Sequence, residues 1–358
     1  MTVEPDGAEP NRAEPNGAPI ISMFSVCDHY PDRPRSGNAF LEEVLQEIVL
    51  AETLGYDSYL VAEHHFHEYG LVSNPALLLS AAAQRTSTIR LGPGISVLPF
   101  RNPFQVAEDY ALVDQLSNGR LIMGVGSGYL KHEYEGFALD GSDKRARFDG
   151  GLDILRRAWA GETITHESDW FNCANAKLQL LPVQQPHPPI HIAVIRREAA
   201  YYVGRQNNGV IMVPYATVDR LEEIGGLIGE YEKGRSEAGH GGVDGTGGPG
   251  VLVALHTYVA ETDAEARAHA ADPFDLYVAT RLYAKSQIYD DILATRLALF
   301  GSVERVADQI VELSEMGTKH LLFLMNFGNM PRDRVQRSMR LMAEEVMPLV
   351  AARTGAPV

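Results

Sequence analysis

The chain has 358 residues, a length that fits two average domains or one large α/β barrel. Its 31 lysine and arginine residues are outnumbered by 47 aspartate and glutamate residues, and the resulting net charge of −16 argues against general nucleic-acid binding. A composition of 45% hydrophobic and 22% charged residues is typical of a globular protein and excludes disorder for most of the chain.

The first nineteen residues are rich in proline, glutamate, glycine and asparagine. They lack the basic start and apolar centre of a signal peptide, so a disordered tail over residues 1–19 of a cytoplasmic protein is predicted. Cys27 and Cys173 are the two cysteines, too few for a disulfide framework or a four-thiolate metal site. No apolar run approaches the ~20 residues that cross a bilayer.

From residue 20 onward, short β-rich runs alternate with helical patterns. The run at 20–26 is followed by Phe40, Val44 and Ile48, whose i, i+4, i+8 spacing predicts a buried helical stripe. The other predicted strands lie at 57–65, 89–98, 120–128, 188–194, 209–214, 251–260 and 320–328. Further helices are predicted to begin at Pro75, Pro103, Arg145, about 197, about 217 and Pro331.

Eight strands separated by helices favour a parallel sheet, because each parallel connection needs a long crossover. The prediction is one α/β domain over residues 20–358, a (β/α)8 TIM barrel. A doubly wound open sheet is the alternative.

Two segments interrupt the alternation of strands and helices. The stretch at 239–250 holds seven glycines and is interpreted as a flexible connection. The insertion at about 261–301 follows the seventh strand and precedes a helix that starts at Ser302. It carries Tyr277, Tyr283 and Tyr289 and could act either as a lid or as ordinary packed helix.

Residues 63–68, EHHFHE, follow the second strand, where barrel enzymes place catalytic groups. On an extended strand Glu63, His65 and His67 project to one side, so a two-histidine, one-carboxylate iron site is conceivable. Histidines that cap a strand end by hydrogen bonding are the structural alternative. Since no second carboxylate–histidine cluster completes a metal site, no metal is predicted.

The run GVGSGY at 124–129 follows the fourth strand. Its spacing departs from the Rossmann fingerprint, because Tyr129 stands where the third glycine should be and no helix opens there. Small residues at this strand end would instead let the backbone approach a flat cofactor closely.

Three longer runs carry a family resemblance: VAEHHFHEYGLVSNP at 61–75, VLPFRNPFQVAEDYALVDQLSNGR at 97–120 and VMPLV at 346–350. They resemble the bacterial luciferase family of flavin-dependent monooxygenases, in its FMN branch. The resemblance implies a (β/α)8 barrel that binds reduced FMN from a separate flavin reductase. It also implies molecular oxygen as cosubstrate, a flavin hydroperoxide, an organic substrate and a homodimer.

The resemblance assigns roles to particular residues. His64 matches the family's catalytic histidine, with Glu63 and His65 beside it, and the Gly94–Ile95 bond falls at a non-prolyl cis peptide that supports the flavin. Gly126, with Ser127 next to it, stands where light-emitting members carry a reactive cysteine.

Phosphate binding is the clearest departure from the family pattern. Arg145 matches a phosphate-contacting arginine, but Ile195-Arg196-Arg197 replaces the usual acidic and hydroxyl side chains after the fifth strand. Arginine forks and a helix amino terminus suit phosphate oxygens, whereas two solvated arginines are the alternative interpretation.

The leading functional hypothesis is a reduced-FMN-dependent monooxygenase. A flavin-binding protein without turnover and a deazaflavin-dependent oxidoreductase on the same barrel remain alternatives. The complete Glu63-His64-His65 set argues for catalysis, and EHHF resembles the FMN branch more than the deazaflavin branch.

Overall fold

Strands and helices alternate along the computed structural model, which describes residues 18–68, 70–240, 249–281 and 286–355. The strands are β1 Ile20–Ser25, β2 Ser58–Val61, β3 Arg90–Pro93, β4 Ser96–Val97, β5 Met123–Gly126, β6 Ile164–His166, β7 Cys173–Ala176, β8 Ile190–Ala193, β9 Gly209–Met212, β10 Val251–Ala260, β11 Ala298–Ser302 and β12 His320–Leu324.

The helices are α1 Gly37–Thr53, α2 Pro75–Ala83, α3 Pro103–Ser117, α4 Lys131–Gly136, α5 Lys144–Trp159, α6 Arg197–Arg205, α7 Pro214–Thr217, α8 Glu223–Glu237, α9 Asp263–Ala279, α10 Tyr289–Thr295, α11 Val303–Glu315, α12 Arg332–Leu341 and α13 Met347–Thr354. A π-helical turn, Met342–Val346, joins the last two. No helix in the described ranges is both long and apolar enough to span a membrane.

The parallel strands pair in the order β3, β2, β1, β12, β10, β9, β8, β5, β4. β3 and β4 are halves of one barrel strand, interrupted at Gly94 and Ile95, and β4 pairs with β5, which closes the sheet on itself. Leu91 on β3 also bridges Leu121, just before β5. The predicted (β/α)8 barrel is confirmed, and the open-sheet alternative is wrong because an open sheet has two unpaired edge strands.

Local sequence explains several helix starts. Ser36, Asn74 and Asn102 cap α1, α2 and α3, since each side chain accepts a hydrogen bond from a backbone N–H of the first turn. Pro75 and Pro103 occupy first helical positions, where no N–H is needed. The predicted stripe of α1 is buried in the core.

Several elements differ from the sequence prediction, among them β11 in the insertion and the short helix α4, which begins at Lys131, where no helix was predicted to open. β6 and β7 form an antiparallel pair between α5 and β8, too short and too polar to predict from alternation. The helix predicted near 217 begins at Glu223, because α7 ends at Thr217 and Val218 is extended.

The insertion after β10 is built mainly of regular structure. Thr262 caps α9, and β11 pairs in parallel with the second half of β10, from His256 opposite Ala298 onward. Tyr277 and Tyr289 are buried, so the described part of the insertion packs on the barrel. Tyr283 lies outside the described residues, as do residues 1–17 of the predicted tail and 241–248 of the glycine-rich connection.

Candidate active site

A cavity that is partly open to solvent lies at the carboxyl ends of the barrel strands. Its walls come from the ends of seven of the eight barrel strands and from the insertion that follows β10, and most of the lining side chains are apolar. The lining residues that the later argument uses are Glu63, His64, Gly94, Ile95, Gly126, Ser127, Glu133, Ile195 and Arg281. The cavity therefore brings together seven of the residues predicted from sequence.

His64 and Glu133 form an acid–base pair in the cavity wall. His64 Nδ1 lies 3.1 Å from Glu133 Oε1, and the side chain of Glu133 is 2% exposed. An ionised carboxylate can only accept this hydrogen bond, an arrangement that puts the proton of a neutral imidazole on Nδ1 and leaves Nε2 as the nitrogen that exchanges protons. Gly70 packs on the imidazole, since a Cβ there would lie 2.8 Å from His64 Cδ2.

Glu63 and His65 form a second pair behind the first. His65 Nε2 lies 3.2 Å from Glu63 Oε1, while Glu63 Oε2 accepts hydrogen bonds from Ser96 Oγ and the Val97 N–H. Glu63 thus ties the end of β2 to β4 and also lines the cavity. The His65 ring does not line the cavity, and its backbone N–H donates to Glu133.

Another part of the cavity wall contains two glycines, Gly94 and Gly126. The Gly94–Ile95 peptide bond is cis, as the resemblance implied. A Cβ on Gly126 would lie 2.1 Å from Ile95 Cδ1, so glycine is needed for the side chain of Ile95 to lie against this strand end. Ser127 continues the same wall, and its backbone oxygen accepts a hydrogen bond from Tyr134.

The predicted phosphate-binding arginines lie outside the cavity lining. Arg145 is exposed on α5 and pairs with Asp149, at 2.7 Å. Arg196 precedes α6, and Arg197 begins it, 3.6 Å from Glu230. Ile195, directly before them, does line the cavity. Of the run Ile195-Arg196-Arg197, the structure therefore brings only Ile195 to the cavity lining.

Sequence reasoning missed Glu133 and Arg281, which both line the cavity. Glu133 lies on α4, directly after the fourth barrel strand, and that position at the catalytic end of the barrel was an available signal. Arg281 follows α9, and no local pattern marks it.

The iron-site alternative receives no geometric support. In the described ranges, no group of three or more histidine, cysteine, aspartate or glutamate side chains is arranged to hold a metal ion. β2 ends at Val61, so the extended strand on which Glu63, His65 and His67 would share one side does not continue that far.

The model of the luciferase-like monooxygenase family matches residues 22–320. The chain therefore belongs to the luciferase-like monooxygenase family. Monooxygenase RslO1 from Streptomyces bottropensis has the same fold, with a TM-score of 0.83 and 29% identity over 92% of this chain and 98% of its own.

Limonene 1,2-monooxygenase of Rhodococcus erythropolis is 28% identical over 87% of this chain and 82% of its own length. The oxygenase component of flavin-dependent trigonelline monooxygenase from Acinetobacter baylyi is 25% identical over 92% and 94%. An F420-dependent glucose-6-phosphate dehydrogenase of Microbacterium testaceum is also similar, 25% identical over 87% and 94%. These relatives support an oxidoreductase enzyme that uses a flavin-type cofactor.

Proposed function

We propose that this protein is a monooxygenase that uses reduced FMN and molecular oxygen to transfer one oxygen atom to a small organic substrate. One observation carries the proposal: the His64–Glu133 pair faces a cavity whose remaining walls are apolar or glycine. The cavity fits a flavin because its lining is mostly apolar with few polar groups, and because glycine at position 126 leaves room for the side chain of Ile95 beside the strand end.

Reduced FMN, when bound, supplies two electrons for the reduction of oxygen, while one oxygen atom enters the substrate and the other leaves as water. Gly94, Ile95 and Gly126 would hold the flat ring system, and Ser127 and Ile195 would border it. The apolar lining excludes water from the reacting groups.

His64 would act as the acid–base group. Glu133 fixes its tautomer and orientation, so that Nε2 takes or gives the protons that oxygen transfer requires. Glu63 and His65 would position the part of the cavity wall that carries His64, because Glu63 holds the ends of β2 and β4 together. The relative that is named an oxygenase component supports a separate flavin reductase as the partner that delivers reduced FMN.

The proposed oxygen transfer can be tested without knowing the substrate in advance. The protein and reduced FMN are mixed anaerobically with a bacterial metabolite extract and then given isotopically heavy oxygen gas. We expect one metabolite to gain one heavy oxygen atom. His64→Ala should bind reduced FMN normally but lose this product by about two to four orders of magnitude, with more hydrogen peroxide released.

His67→Ala is the matched control, since His67 belongs to the same run but does not line the cavity. It should keep parental activity. Equal loss in both variants, together with inhibition by chelators, would instead support a metal site. Binding of reduced FMN without any labelled product would favour a non-catalytic flavin-binding protein. Tight binding of reduced F420 but not of reduced FMN would favour the deazaflavin alternative, which the F420-dependent relatives keep open.

A further inference from the structure

Arg281 places a positive charge in an otherwise apolar part of the cavity wall. Among the described lining residues it is the only lysine or arginine. It follows α9, whereas His64 follows β2, and β1 and β12 lie between β2 and β10 in the barrel. The cation and the acid–base pair therefore border different parts of the same cavity.

Two buried tyrosines hold Arg281 in place. Its guanidinium carbon lies 4.8 Å from the ring centroid of Tyr215 and 4.4 Å from that of Tyr277. Nη2 also donates a hydrogen bond to Tyr277 Oη, at 2.6 Å. Because both rings are almost fully buried, the guanidinium is positioned before any ligand arrives.

The charge of this region resides on Arg281 rather than on the histidine beneath it. His256 is fully buried, and its ring centroid is 4.9 Å from that of Tyr277. Burial and the nearby Arg281 charge lower the pKa of His256 well below its usual range, so His256 is neutral. The two carboxylates that line the cavity have histidine partners: Glu133 pairs with His64 and Glu63 pairs with His65.

We propose that Arg281 binds a carboxylate on an otherwise apolar, aromatic substrate. The inference rests on the proposed function, because it takes this cavity as the substrate site. The guanidinium charge of Arg281 attracts a carboxylate, and in an apolar cavity such a charge-assisted contact is strong. The apolar remainder of the cavity suits a flat hydrocarbon ring.

The FMN phosphate is the rival anion for Arg281. Phosphate groups favour the start of a helix, and α6 begins at Arg197, two residues after the cavity-lining Ile195. That site follows β8, two strands away from β10. The substrate carboxylate is therefore the better partner for Arg281, and the experiment separates the two anions.

The probes are benzoate, 2-naphthoate and anthracene-2-carboxylate, each compared with its neutral amide by isothermal titration calorimetry. The titrations are run on the protein with and without FMN. At least one carboxylate should bind about ten- to a hundredfold more tightly than its amide, and Arg281→Gln should remove this preference. Arg281→Lys should restore part of it, because it keeps the charge but not the planar group that stacks on Tyr215 and Tyr277.

Arg267→Gln is the matched control, since Arg267 also stacks on a tyrosine of the insertion but does not line the cavity. It should keep the full preference. The inference is wrong if no carboxylate outcompetes its amide, or if Arg281→Gln keeps the preference. It is also wrong if Arg281→Gln weakens FMN but not riboflavin, because Arg281 then holds the phosphate. Carboxylate selectivity in a protein that binds no FMN would refute the proposed function but not the role of Arg281.

Discussion

Glu47 provides a quantitative test of how the barrel tolerates a buried acid. It lies on α1 with 2% of its surface exposed, and it accepts hydrogen bonds from Tyr59 Oη at 3.0 Å and from Asn326 Nδ2 at 2.7 Å. Burial nevertheless raises the pKa of its carboxyl to about 7, because the loss of hydration outweighs these two contacts.

The raised pKa converts into a loss of stability at neutral pH. The folded chain holds the Glu47 proton more tightly than the unfolded chain, whose carboxyl has the usual pKa of 4.5. Its contribution to stability is therefore fully present below about pH 4.5 and is lost as the pH rises to about 7. At about 1.4 kcal/mol per pH unit, the loss comes to about 3 kcal/mol.

Glu47→Gln removes the ionisable group and keeps an oxygen that can accept both hydrogen bonds. Between pH 5 and pH 8, the variant should gain about 2–3 kcal/mol in free energy of unfolding relative to the parent. Urea denaturation followed by circular dichroism at both pH values measures this difference.

Glu42→Gln on the same helix is the control. Glu42 is exposed, and hydrogen bonds from Arg85 lower its pKa, so its effect should be small and of opposite sign. If the difference between the parent and Glu47→Gln is the same at both pH values, the buried carboxyl does not ionise in this range and the reasoning fails.

Two further predictions concern the phosphate and the assembly. Replacing both Arg196 and Arg197 by alanine should weaken FMN binding about tenfold to a hundredfold without changing riboflavin binding, as measured by fluorescence titration. The same titration on Arg145→Ala tests the third predicted phosphate contact. Unchanged FMN affinity in all these variants would show that none of the three arginines binds the phosphate. We also predict a homodimer through α2 and α3, where Leu77 and Leu116 are 73% and 45% exposed. Light scattering should show that the double variant Leu77→Asp, Leu116→Asp is a monomer. The control variant Leu180→Asp should remain a dimer. A monomeric parent protein would contradict the prediction.

The barrel was predictable because its signals are local. A buried helical stripe such as that of α1, or a proline at a helix start such as Pro103, can be read from a few neighbouring residues. β11 was missed because its pairing with the second half of β10 depends on α9 folding back between them. A five-residue strand inside an insertion carries no such signal.

The site was predictable in part for the same reason. Carboxyl ends of barrel strands converge, so groups that follow β2, β3 and β5 had to meet once the barrel closed. The direction of a long side chain is set by its neighbours instead. Arg145 is an exposed partner of Asp149, while Arg281 is turned to the cavity by two tyrosines, and both residues are simply arginines in the sequence.

Two histidines of the run EHHFHE, His64 and His65, have similar carboxylate partners but different surroundings. Their carboxylate partners lie at 3.1 and 3.2 Å, and by chemistry alone either pair could exchange protons. The ring of His65 is enclosed by Phe66, Phe100 and Phe137, whereas His64 lines the cavity. The partner of His64 comes from α4, more than sixty residues further along the chain. We therefore assign the proposed acid–base chemistry to His64 and Glu133, which both line the cavity, and a supporting role to Glu63 and His65.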